Sequence, residues 1–153
     1  MNRSITGYHL DDDGDWVAEL DCLHNQHVRH NPPFQLREWT QTPEGRAAHV
    51  GDQLDCPWCD LAELPEGLRL ARTAGPWNES TVPGALRRAH LVAQSTWGNL
   101  TVIAGEVRIT LETAPPIDVT VAAGQAQPIP PGVPHHLTIV DPVTLAVEFY
   151  VKA

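Results

Sequence analysis

Three cysteines and a run of histidines are the first residues in this 153-residue chain with an obvious chemistry. Asp21-Cys22-Leu23-His24 is followed downstream by Asp55-Cys56-Pro57-Trp58-Cys59. A C-x2-C pair puts two thiolates on one tight turn, within reach of a single tetrahedral ion, and a second knuckle supplies the other two ligands. Cys22, His24, Cys56 and Cys59 are therefore the expected ligands of a zinc ion. Four protein ligands would close that site and make it structural. His27 or His30 could stand in for His24. Two other readings of the cysteines compete. A redox C-x-x-C lacks the surrounding βαβ pattern, and Cys22 could be no more than a buried apolar residue.

A second set lies in the C-terminal half. Gly124-Gln-Ala-Gln-Pro-Ile-Pro-Pro-Gly-Val-Pro-His135 reads G-x5-P-x-G-x2-H. Proline presets φ and glycine supplies φ > 0, so the loop is a tight turn that fixes one imidazole at the start of a strand. Glu148 sits between Val147 and Phe149 in the most apolar strand of the chain, where a carboxylate is costly unless paired or metal-bound. With His90 from an earlier strand, His135 and Glu148 form a 2-His-1-carboxylate set with open positions for iron or another divalent metal. His136 faces the other way from His135, and the loop pattern selects His135. Two alternatives stay open: a salt bridge from Glu148 to Arg88 or Arg108, and His90 as a hydrogen-bonded core histidine. Arg88, on the same strand face as His90, could hold an oxyanion. Gln94, Trp97 and Tyr150 are candidate pocket walls, with ordinary packing or a solvated rim as the bland reading.

The elements that must position these groups are mostly strands. Ser4–Leu10 and Trp16–Asp21 read as a hairpin joined by Asp11-Asp-Asp-Gly-Asp15. An EF-hand is excluded there, because flanking helices and the Glu at the twelfth loop position are missing. Thr42 caps a short helix that starts at Pro43 and stops at Gly51. Residues 61–66 read as a linker. Beyond them, strands are expected at Leu68–Thr73, Ala85–Gln94, Asn99–Ala104, Val107–Leu111, Ile117–Val121, Ala126–Ile129, His135–Val140 and Leu145–Val151. Turns fall between them, at Gly75-Pro76 and Gly105-Glu106 among others. Eight short strands at this spacing suggest a double-sheet jelly roll or barrel. The expected organisation is a zinc-ribbon-like module at 1–60, a linker at 61–66 and a β domain at 67–153.

Composition narrows the function classes. Fourteen prolines and eleven glycines suit turn-rich β structure. The formal net charge of −9 is uneven, with four Lys/Arg against eleven Asp/Glu in residues 1–60 and six against eight thereafter. Such a surface repels phosphate backbones, so nucleic acid is not an expected partner. No apolar run approaches the ~20 residues of a membrane span. The acidic N-terminal stretch is no signal peptide, and a cytoplasmic location is expected. Three cysteines in a reducing compartment argue for metal over disulfides.

Two resemblances add to this. Residues 5–60, with Gln26-His-Val-Arg-His-Asn-Pro-Pro33, Glu44-Gly-Arg-Ala47 and Leu54-Asp-Cys56, resemble a small bacterial domain family of unknown function. Leu23 stands where that family has glycine. The G-x5-P-x-G-x2-H spacing is similar to the second motif of the cupins. Pro65-Glu-Gly-Leu68, Arg72-Thr73, Trp77-Asn78, Thr81-Val-Pro-Gly-Ala-Leu86, Ala89-His90, Trp97-Gly98, Pro130-Pro-Gly-Val-Pro-His135 and Val147-Glu-Phe-Tyr150 resemble the TehB/YeaR-like cupin family over about residues 64–151. Those domains occur alone or fused to a methyltransferase in tellurite-resistance proteins. The resemblance implies a cupin-like double-stranded β-helix and the metal ligands His90, His135 and Glu148. The general cupin first motif, with its H-x-H and Glu, is absent near Val92–Gly98. The expectation is a metal-binding, cupin-like protein of a stress or toxic-anion response. It would bind or transform a small molecule or oxyanion, with a homodimer through an edge strand. The alternative is a non-enzymatic sensing module whose zinc half recruits a protein partner.

Overall fold

A computed structural model describes all residues, Met1–Ala153. The chain is mainly β and divides into two compact units, Met1–Leu61 and Ala62–Ala153. None of its helices is long and apolar enough to cross a membrane.

In the first unit β1 (Asn2–Leu10) and β2 (Trp16–Leu20) form the expected hairpin. Its acidic turn is self-capped: the Asp11 carboxylate accepts from the backbone N–H groups of Asp13 and Asp15. β3 (Asn25–His27) and β4 (Gln53–Asp55) complete an antiparallel sheet in the order β3-β2-β1-β4. Thr42 caps α1 (Pro43–Ala48) by accepting from Gly45 N–H, as its position before proline requires. A second short helix, α2 (Pro57–Asp60), starts at Cys56. The apolar core is thin: Ile5, Val17, Leu20 and Val28 are its main aliphatic members, beside the three cysteines.

The second unit contains β5 (Leu68–Asn78), β6 (Trp97–Leu111), β7 (Ile117–Ala122), β8 (Ala126–Ile129), β9 (His135–Thr138) and β10 (Val143–Lys152). It is organised on β6. The first part of β6 pairs with β10 and β8, and the last part pairs with β7 and β9. β5 pairs with the other edge of β10.

Six strands replace the expected eight, for two reasons. The turn expected at Gly105-Glu106 is a kink within one continuous strand. Gly105 has φ +75°, and a Cβ there would lie 2.3 Å from the Pro142 carbonyl oxygen, so only glycine lets β6 pass from one set of partners to the other. The turn expected at Gly75-Pro76 is likewise a bulge inside β5, where Leu145 pairs with Trp77 but Val147 pairs with Ala74. The strand expected over Ala85–Gln94 does not form. Gly84–Arg87 is a 3-10 turn, Ser95 takes φ 58°, and His90 contributes only an isolated bridge.

Candidate metal centres

The loop after β2 delivers Cys22 and His24, and the start and last turn of α2 deliver Cys56 and Cys59. All four are buried, and their ligand atoms lie within 4.8 Å of one another. Cys22 Sγ and Cys56 Sγ are 3.9 Å apart. His24 Nδ1 is 3.5 Å from Cys22 Sγ, 3.5 Å from Cys56 Sγ and 3.7 Å from Cys59 Sγ. Zinc bond lengths of about 2.3 Å to sulfur and 2.0–2.1 Å to nitrogen imply tetrahedral edges of about 3.8 Å between sulfurs and about 3.5 Å between sulfur and nitrogen. The donor set therefore fits zinc in both identity and spacing. Without a cation the thiols compete for protons: hydrogen bonds from Cys22 and Cys59 hold Cys56 low, and the same bond to Cys56 pushes Cys22 up. A bound ion removes that competition by stabilising all three thiolates. Three thiolates and a dication leave one net negative charge. The buried guanidinium of Arg3 lies close enough to favour the Cys59 thiolate.

His24 is thus the histidine of the cluster. His27 Nε2 instead meets Asp11 Oδ2 at 3.0 Å, and His30 Nδ1 accepts from Arg37 N–H. Leu23, between Cys22 and His24, takes φ 71°, the left-handed region that favours the glycine expected from the family pattern.

The second centre is built by the Pro-Gly loop. Pro130, Pro131 and Val133 are buried, Gly132 takes φ 68°, and Gly132 N–H donates to the Val92 carbonyl. His90 and His135 exchange both backbone hydrogen bonds, at 3.1 and 3.0 Å. Directly opposed residues of this kind project side chains to the same face, and the two imidazole centroids are 4.0 Å apart. Each ring is oriented alike: His90 Nδ1–H donates to the Arg88 carbonyl and His135 Nδ1–H to the Val133 carbonyl, both at 2.9 Å. That assignment leaves Nε2 of both rings as the lone-pair atom, the usual preparation of a metal-ligating histidine. Burial lowers the His135 pKa to about 4, so its ring is neutral at ordinary pH.

Both histidines line a cavity of about 450 Å³ whose other walls include Leu86, Val92, Leu100, Val147 and Phe149. The expected third ligand does not join them. Val147, Phe149 and Val151 of β10 face the cavity, so alternation along the strand turns Glu148 to the opposite face. There its carboxylate accepts from the Tyr150 hydroxyl at 2.5 Å. The expected pocket walls also differ. Arg88 and Gln94 are exposed, Trp97 is buried in the core, and none of Arg88, Gln94, Trp97 and Tyr150 lines the cavity. Arg88 and Gln94 were placed by strand alternation in a segment that is not a strand. Arg72 and Trp77 line the cavity instead. Both belong to stretches that resemble the family, but their place on the cavity wall depends on the pairing of β5 with β10, which cannot be read from either strand alone. His136, as expected, turns away and meets Glu112 Oε1 at 2.8 Å.

Comparison with known proteins follows the same division. Residues 6–63 match a family model described as a protein of unknown function, DUF3565. Residues 72–151 match the TehB-like domain. A protein from E. coli (strain K12) aligns with TM-score 0.55 and 23% identity, over 60% of this chain and 97% of that one. TehB from Haemophilus influenzae aligns with TM-score 0.51 and 20% identity over 57% of this chain. The present chain spans 32% of that TehB's length. At these identities the likeness is one of fold. No curated protein matches the chain.

Proposed function

The chain belongs, through residues 72–151, to the TehB-like domain family, and from that premise we propose a two-site metal protein: a zinc-stabilised N-terminal module and a cupin-type domain that holds a divalent ion, zinc or iron, together with a small molecule. The passage of β6 between two sets of strand partners at Gly105 supports the jelly-roll reading of that domain. One observation carries the second metal. Two histidines line one cavity with Nδ1–H committed to backbone carbonyls and Nε2 left to bind. With only two protein ligands, an ion there keeps open positions and would supply Lewis-acid polarisation of a bound molecule. The chain's own residues fix the two imidazoles through the Pro-Gly loop and surround them with the apolar side chains of Val92, Leu100 and Phe149. In the cell this site would serve a stress response of the tellurite-resistance type by acting on a small organic molecule.

Cobalt(II) substitution tests this reading. Two spectroscopically distinct cobalt sites are expected. Cys56→Ser should abolish the thiolate-to-metal bands, and His135→Ala should abolish only the second site. Glu148→Gln should leave both, and loss of the second site in that variant would restore the three-ligand set. A single cobalt site, unchanged by His135→Ala, would refute the proposal.

A second reading, in which the N-terminal module recruits a protein partner, has one specific observation in its favour. Trp58 stacks on the ligand ring of His24 with centroids 5.9 Å apart yet remains 40% exposed.

A further inference from the structure

We propose that the cavity selects a small organic anion with an apolar body, and that Arg72 is the residue that selects it. The inference rests on reading the cavity as a ligand site, but not on the metal.

Arg72 stands on β5 directly opposite Phe149 of β10, and its guanidinium carbon lies 4.0 Å from the centre of the Phe149 ring. Both residues line the cavity. Arg72 is exposed, so it stands at the mouth. It carries the only formal positive charge in the lining, and no carboxylate lines the cavity. The arginine ion pairs of the chain are Arg3 with Asp21 and Arg29 with Asp15, and Arg72 makes none. The aromatic ring beneath it holds the planar fork in place while leaving its N–H donors outward, a geometry suited to a carboxylate.

The walls decide the rest of the ligand. They are mainly aliphatic and aromatic, with Leu86, Val92, Leu100 and Val147 among them. A bare, strongly hydrated oxyanion would lose its water there without recovering hydrogen bonds. An organic body gains by burial on the same surface. A charged head on Arg72 with an apolar tail inside satisfies both ends. The volume of about 450 Å³ is within the range of small-molecule sites.

Matched probes test this: 4-phenylbutyrate and 4-phenylbutanol, titrated calorimetrically, with quenching of cavity-lining Trp77 as a second readout. The acid should bind about tenfold or more tighter than the alcohol, the worth of one charge-assisted pair. Arg72→Gln should erase that preference while leaving alcohol binding in place. Arg72→Lys should keep part of it, and Arg88→Gln should keep all of it. Equal affinity for the two probes, a preference that survives Arg72→Gln, or no binding of either probe would overturn the proposal. Repeating the titration on chelated protein separates this from the metal reading. A carboxylate preference that persists in protein shown never to hold a second metal would sink the metal and leave Arg72 in its role.

Discussion

The two histidine-bearing centres differ in how completely the protein supplies them. In the N-terminal unit, three thiolates and one imidazole already describe a tetrahedron of zinc dimensions. In the C-terminal unit two imidazoles lie side by side, with cavity around them. A closed set stabilises a fold that has little else, and an open set leaves room for a ligand. The surrounding cores fit this division. The first unit has few buried aliphatic side chains, whereas the second buries Trp97, Leu100, Ile109, Leu111, Val121 and Leu145. Metal should therefore be needed for folding in one unit and be dispensable for it in the other.

The largest expected effect comes from breaking the closed site. Structural zinc contributes on the order of 10–16 kcal/mol of apparent binding free energy in small modules. Cys56→Ser should therefore leave Met1–Leu61 unfolded while the strands of Ala62–Ala153 persist. Amide spectra that remain dispersed for the first unit would contradict this.

Gly105→Ala should come next, and in the other unit. The new methyl meets the Pro142 carbonyl oxygen at a left-handed backbone position, for a loss of about 2–4 kcal/mol. Denaturant unfolding measures it, and a loss below about 1 kcal/mol would show that β6 can pass between its partners without glycine. His135→Ala should cost less, about 2 kcal/mol, because the backbone pairing of β9 with β6 is untouched. It should nevertheless empty the cavity of metal. Retained metal would remove His135 from the site.

The smallest effect tests the knuckle. Leu23→Gly relieves a left-handed leucine but loses its partial burial. The result should lie between neutral and about 1 kcal/mol of added stability, read from the thermal midpoint of the zinc-bound protein. A clear destabilisation would mean that Leu23 packs more than its backbone strains.

These differences also explain what was legible in the sequence. The cysteine site could be read because its ligands are two local pairs, each with spacing that puts two donors on one turn, and Thr42-Pro43 marks its helix by local rules. His135 was legible for the same reason, since the Pro-Gly loop aims it. Glu148 and Arg88 were misplaced because their assignment required knowing which strand face lines the cavity and whether residues 85–94 form a strand at all. Alternating residue types suggested both, but a 3-10 turn and a bridge replaced the strand. Arg72 stands in a stretch that resembles the family, but its place at the cavity comes from the cross-strand neighbour Phe149. Gly75-Pro76 and Gly105-Glu106 read as turns between strands, whereas the first is a bulge within β5 and the second a kink within β6. Glycine chemistry is the same in both, and only the partner strands distinguish them.

One chain thus carries one closed and one proposed open metal site. Elemental analysis of the native protein during stepwise chelation tests it most directly. Two metals per chain are expected. One should be released early by a mild chelator with the fold intact, and be absent from His90→Ala and His135→Ala. The other should be zinc, lost late and together with the structure of Met1–Leu61. A single metal per chain, or two that leave together and survive both histidine substitutions, would contradict it.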